Sequence, residues 1–150
     1  MSPPARWGGC LCGRVRYRVS GTSLYDTFCH CVPCQKATGT VAMSSTIRRR
    51  SDLEITQGRD VLKAYKDTST DSGKPLMRNF CGECGSMLFA FPDVLDTVVG
   101  VAAGTLDDFD QWRPDTEQYC MRRAGFLEKI KDVDPSRRFT GSVRSEPEAQ

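Results

Sequence analysis

The sequence predicts a mainly β fold with short helical turns only, pinned together at clustered cysteines. Three observations predict it. Short extended segments, some strictly alternating in polarity, follow one another at close spacing with turn residues between them. No long stretch carries the 3.6-residue apolar period of an amphipathic helix. Eight cysteines stand in 150 residues, and seven of them fall into three tight groups.

Each element can be justified in order. Arg14 to Val19 alternates polar and apolar side chains, the signature of a strand with one face on a core. After the break at Gly21, Ser23 to Phe28 reads as a strand delivering the chain into Cys29. Pro33 to Thr38, closed by Gly39, predicts one short helical turn. Val41 to Ile47, Leu53 to Thr56 and Val61 to Tyr65 read as extended, and Thr68 to Pro75 as a turn-rich loop. Leu76 to Phe80 enters a cysteine turn and Met87 to Phe91 leaves it. Val98 to Ala102, apolar apart from Gly100, predicts a buried strand, and Thr116 to Met121 a further one. The expectation is one domain over residues 6–131, with a polar, frayed tail over 140–150.

Composition narrows the function classes. The chain is 39% hydrophobic and 27% charged with a mean hydropathy of -0.44, an ordinary globular balance. No apolar run approaches the roughly 18 to 20 residues of a membrane span, and the first residues lack the apolar core of a signal peptide. Neither membrane insertion nor secretion is therefore expected; a cytoplasmic location is, with the nucleus as the alternative. Twenty-one basic against nineteen acidic residues leave a formal +2, too little for a nucleic-acid binder, and the run Arg48-Arg49-Arg50 reads as a solvated strand end or turn.

The cysteines carry the chemistry. Cys10-x-Cys12 and Cys81-x-x-Cys84 together supply four thiolates, the full tetrahedral set of a structural zinc. Such a site would staple the first strands to a hairpin roughly seventy residues later, which matters in a small β domain. Cys29-x-Cys31-x-x-Cys34 supplies three, the layout of a zinc site that keeps a position for water or substrate. A closed site remains the alternative, with Cys120 or His30 as fourth ligand; His30 lies between two ligands and is expected to point away. Disulfides are disfavoured, because cysteines this close rarely suit their geometry. With both ions bound the formal charge of +2 falls to about -1.

Three blocks resemble the family of glutathione-dependent formaldehyde-activating enzymes (GFA) and centromere protein V. They are Gly8-Gly9-Cys10-Leu11-Cys12-Gly13-Arg14-Val15-Arg16-Tyr17, Cys29-His30-Cys31-Val32-Pro33-Cys34-Gln35-Lys36-Ala37-Thr38-Gly39, and Arg78-Asn79-Phe80-Cys81-Gly82-Glu83-Cys84-Gly85-Ser86-Met87-Leu88. The resemblance runs from about Arg6 to Lys131. It implies a β-tent fold, shared with methionine sulfoxide reductase B. It implies two zinc ions per chain, with Cys10, Cys12, Cys81 and Cys84 structural and Cys29, Cys31 and Cys34 catalytic. It also implies carbon-sulfur lyase chemistry on an adduct of glutathione, or a similar small thiol, and formaldehyde or a related small aldehyde. Two departures bear on substrate recognition. Gln35 stands where the family often has Arg, and Gly125-Phe126 where it often has Pro-Trp.

A glutathione-like substrate carries two carboxylates, so Lys36 and Arg78, the cations nearest the clusters in sequence, are candidate substrate contacts. Two other functions compete with the lyase. One is a non-enzymatic zinc scaffold; the other is a redox enzyme using Cys120, whose surroundings Gln118-Tyr119-Cys120 faintly resemble the reductase strand but lack its Asn and histidines.

Overall fold

The computed structural model describes residues 3–150. In chain order its strands are β1 (Arg6–Gly9), β2 (Arg16–Val19), β3 (Tyr25–Cys29), β4 (Met43–Arg49), β5 (Leu53–Gln57), β6 (Leu62–Asp67), β7 (Leu76–Cys81), β8 (Met87–Pro92), β9 (Val98–Ala102) and β10 (Thr116–Gln118). A seven-residue helix, α1 (Val32–Thr38), follows β3. Single 3-10 turns make up the other helical pieces among the described residues. The strands form two sheets, as a mainly β fold with short helical turns requires.

The chain divides into two compact units. One holds the residues up to Leu24 together with Thr46–Trp112; the other holds Tyr25–Ser45 and Arg113–Gln150.

In the first unit β1, β2 and β5 form an antiparallel sheet in the order β1-β2-β5. The alternation read from the sequence is what this sheet uses: Tyr17 and Val19 are buried while Arg18, between them, is exposed and pairs with Glu54. Strands β6, β7, β8 and β9 form a second antiparallel run, with Leu62 opposite Cys81, Asn79 opposite Phe89, and Phe89 opposite Val101. Its core gathers Val15, Tyr17, Leu88, Phe89, Val99, Val101, Leu106 and Trp112, with Cys10 and Cys81 among them. Tyr17 meets Phe89 edge-on at 5.1 Å between ring centroids, and its buried hydroxyl bonds the Thr105 hydroxyl at 2.7 Å.

The second unit is built differently. β10 runs parallel to β3, with Glu117 opposite Phe28 and Gln118 opposite Cys29. Its buried side chains are mostly cysteine or polar: Thr27, Cys29, His30, Cys34, Ser45, Thr116, Glu117 and Cys120, with Ala42, Met43 and Val133 as the apolar ones. Hydrogen bonds, more than apolar area, must hold this part.

Where the sequence expects a strand over Thr116–Met121, the strand stops at Gln118. Tyr119 takes φ 54 and ψ 43, left-handed backbone that no strand continues through, and a 3-10 turn over Cys120–Arg122 follows. β1 is an addition; Arg-Trp-Gly-Gly offers no alternation to read. Residues 140–150, read as frayed from their polarity, are paired through the backbone: Phe139 bridges Pro147, and the Glu148 amide donates to the Arg138 carbonyl at 2.6 Å.

Candidate metal centre

Two clusters of thiols form, one in each unit, and each could hold a metal ion. In the first, Cys10 and Cys12 lie in the turn between β1 and β2, Cys81 ends β7, and Cys84 lies in the turn before β8. The turn closes because Gly85 takes φ 77, a conformation costly for any residue with a side chain, and donates its amide to the Cys81 carbonyl at 2.8 Å. The four sulfurs all lie within 4.8 Å of one another.

These sulfurs fit zinc. Thiolates bound about 2.3 Å from a tetrahedral ion stand about 3.8 Å apart; Cys10 and Cys12 are 3.6 Å apart, and Cys12 and Cys81 3.8 Å. Neighbouring donors are already turned towards the sulfurs. The Val15 amide reaches Cys10 Sγ at 3.2 Å, and the Ser86 hydroxyl lies 3.2 Å from Cys84 Sγ. The Ser86 hydroxyl and amide hold the Cys84 thiol down at about 5, in thiolate form at neutral pH.

The second cluster joins Cys29 at the end of β3, Cys31 as the residue capping α1, and Cys34 in the first turn of that helix. Cys31 Sγ accepts the Cys34 amide at 3.3 Å, so the cap that starts the helix also orients a thiol. Pro33 suits the first turn, where its missing amide is no loss, and Gly39 ends the helix at φ 66. The three sulfurs lie within 4.8 Å of one another.

They oppose one another's ionisation. Hydrogen bonds with Cys31 and Cys34, then burial, push Cys29 well above the ordinary thiol value. Cys31 rises to about 12, its bond from Cys29 working downward but outweighed by Cys34 and burial. A divalent cation among such thiols reverses that balance, since coordinating thiols are deprotonated outright.

Neither candidate fourth ligand joins this group among the described residues. Cys120 Sγ lies 3.7 Å from the Glu117 carbonyl, and its thiol is raised to about 11 by burial and by the Glu117 charge, which makes it a poor nucleophile. His30 turns away from the sulfurs, as its place between two ligands predicts, and its Nε2 meets Glu117 Oε1 at 2.7 Å.

That contact opens a buried network with no counterpart in the sequence reading. Burial alone would raise the Glu117 carboxyl, but hydrogen bonds from His30 and Arg123 and the Arg123 charge outweigh it and hold the group down at about 2. As an ionised carboxylate it accepts only, so His30 Nε2 carries the proton. Arg123 Nε donates to the same Oε1 at 3.0 Å, and its two terminal nitrogens grip Glu148 at 2.8 and 3.1 Å. Arg138 Nε stands 3.8 Å from Glu117 Oε2. A glutamate inside a three-residue strand was the available signal; nothing in local spacing ties it to residues 30, 123 and 148.

Lys36 is exposed in the last turn of α1. Arg78 lies in the first unit, buried, with Nε on Asp67 at 2.8 Å. Gln35, where the family pattern often has Arg, donates its amide to the carbonyls of Val41 at 3.0 Å and Arg122 at 3.2 Å, tying α1 to both segments.

Comparison with known proteins agrees with this picture. The family model described as glutathione-dependent formaldehyde-activating enzyme matches residues 5–122. A crystal structure of a Rhodobacter sphaeroides protein is similar in fold, at 24% identity and a TM-score of 0.53, over 67% of this chain and 87% of that one. No curated protein matches the chain. Among the described residues no helix is long and apolar enough to cross a membrane.

Proposed function

The chain belongs to the glutathione-dependent formaldehyde-activating enzyme family, and from that premise we propose that it is a zinc-dependent enzyme of carbon-sulfur lyase type. Its substrates on this reading are a small thiol such as glutathione and a small aldehyde such as formaldehyde. Cys10, Cys12, Cys81 and Cys84 would hold one zinc for stability, and Cys29, Cys31 and Cys34 a second for catalysis. The observation carrying the proposal is that the second cluster presents three sulfurs, while Cys120 and His30 are both engaged with Glu117.

Zinc(II) bound there would lower the pKa of a substrate thiol; with three thiolates around it, it would polarise a carbonyl only weakly. The reaction itself is an addition. The thiolate sulfur bonds to the aldehyde carbon, the carbonyl π pair moves to oxygen, and oxygen takes up a proton equivalent to the one the thiol gave up. The chain's own residues fix the geometry: α1 carries Cys34, Gln35 anchors α1 to Val41 and Arg122, and His30 is locked by Glu117. Lys36, exposed on α1, is the proposed cationic partner for a substrate carboxylate; Arg78 is already engaged by Asp67. Reduced thiols in this number suit the cytoplasm, where we place the protein.

The test pairs two variants. Cys31→Ser should lose one of two zinc ions, keep its circular dichroism and lose the exchange of labelled formaldehyde onto glutathione seen by NMR. Cys81→Ser should lose the other ion and much of its thermal stability. Two ions in the wild type with no exchange above the uncatalysed rate would overturn the lyase reading.

A further inference from the structure

We propose that Glu148 is a positioning residue for the three-cysteine group, acting through Arg123, Glu117 and His30; this rests on the reading that the group holds an ion. The first link is covalent. His30 lies between Cys29 and Cys31, so whatever fixes its side chain also fixes the backbone that sets those two sulfurs apart. That side chain is 1% exposed and bonded to Glu117, itself 0% exposed.

Glu117 cannot hold this position alone. Its Oε1 accepts from both His30 and Arg123, and Oε2 faces the Ile130 amide at 3.4 Å and Arg138 Nε at 3.8 Å. Arg123 is therefore the close cation that aims the carboxylate. Arg123 in turn has its fork closed by Glu148, whose other neighbour is Lys129 at 3.6 Å. A bidentate guanidinium–carboxylate pair fixes the plane of the guanidinium as well as its distance. Without Glu148, a guanidinium only 10% exposed keeps a single carboxylate partner and loses two charge-assisted bonds. It must rotate towards water or draw Glu117 off His30.

The loop is also braced by the His30 amide on the Gln118 carbonyl at 3.0 Å and by Phe28, edge-on to the His30 ring at 5.3 Å, but apolar packing around it is sparse. The buried apolar side chains of the unit, beyond its cysteines, are Ala42, Met43 and Val133. In the first unit the four-cysteine group has Cys10 and Cys81 within a cluster that includes Tyr17, Leu88 and Phe89. The dependence on a distant carboxylate is thus specific to one cluster.

The test uses the full chain loaded with zinc and follows release to a chromophoric chelator in Glu148→Ala, Glu148→Gln and Glu148→Asp. The phase belonging to Cys29, Cys31 and Cys34 is the one missing from Cys31→Ser. In Glu148→Ala it should quicken about tenfold, the lower end of the loss seen when partners behind metal ligands are removed. The other phase should not move. Glu148→Asp, which restores charge, should recover most of the retention and Glu148→Gln less. Cobalt-substituted protein should show a shifted ligand-field spectrum for that site in Glu148→Ala, a smaller shift in Glu148→Gln and the wild-type spectrum in Glu148→Asp.

Wild-type release in all three variants would overturn the inference, and so would both phases quickening together, which is general destabilisation. Unchanged release with tighter thiol binding would overturn it too, making Glu148 a competitor for a substrate carboxylate at Arg123. A wild-type protein holding a single ion would instead sink the metal reading on which the inference rests.

Discussion

Replacing Glu117 with Gln probes the buried network at its centre. The carboxyl has an ionisation midpoint at about 2 against an ordinary 4.5, because the bonds from His30 and Arg123 outweigh the cost of burial. Each pH unit of displacement corresponds to about 1.4 kcal/mol, so the ionised group contributes about 3 kcal/mol to the folded state. The folded value is depressed, so this contribution is complete well above pH 4.5 and is lost as pH falls towards 2. At pH 3 about 1 kcal/mol of it should remain. Gln has nearly the same volume and keeps an oxygen for His30 Nε2, but it leaves Arg123 short of a charge. The variant should be about 3 kcal/mol less stable than wild type at pH 7, consistent with breaking a buried pair. The gap should shrink to about 1 kcal/mol at pH 3. Urea unfolding of both proteins at both pH values measures it, with zinc content followed in each sample, because Glu117 also holds His30 beside two of the thiols. A gap that is the same at pH 3 as at pH 7 would refute the assignment of the stabilisation to the Glu117 charge.

Other perturbations test separate parts of the fold. Phe89→Ala removes a fully buried ring packed on Tyr17 and Phe91 and should cost about 3–5 kcal/mol, read as a fall in Tm of roughly 10 °C; a fall of 2 °C or less would mean the ring lies outside the core. Gly39→Ala places a side chain at φ 66 with no atom within 4 Å of the new Cβ, so the cost is backbone conformation alone, about 1 kcal/mol by chemical denaturation. An unchanged midpoint would show that α1 ends differently.

Both cysteine clusters were legible in the sequence because their ligands are nearly contiguous. Four of the seven sulfurs sit two residues from another, and the turns that bring the rest together are marked by glycine and proline. The joining of Cys10 and Cys12 to Cys81 and Cys84 across the first unit was legible for a chemical reason, since two pairs of thiols complete one tetrahedron. Alternation likewise located β2, and continuous apolarity located β9, because those residues face a core wherever the strand is placed.

Local pattern could not reach the features that depend on separated segments meeting. β1 has no alternation, and it is a strand because β2 pairs with it, Gly8 opposite Tyr17. β10 stops at Gln118 because Tyr119 is held in left-handed backbone, its amide on the Gly141 carbonyl at 2.8 Å. Residues 140–150 look unstructured by composition, yet they dock through backbone bonds and one carboxylate, neither of which leaves a hydropathy signal. The sequence by itself determined the chemistry available, namely seven clustered thiols on a β framework. Only the tertiary structure decided what surrounds them, because a buried charge is tolerated only where partners remote in sequence converge on it, as His30, Arg123 and Arg138 do on Glu117.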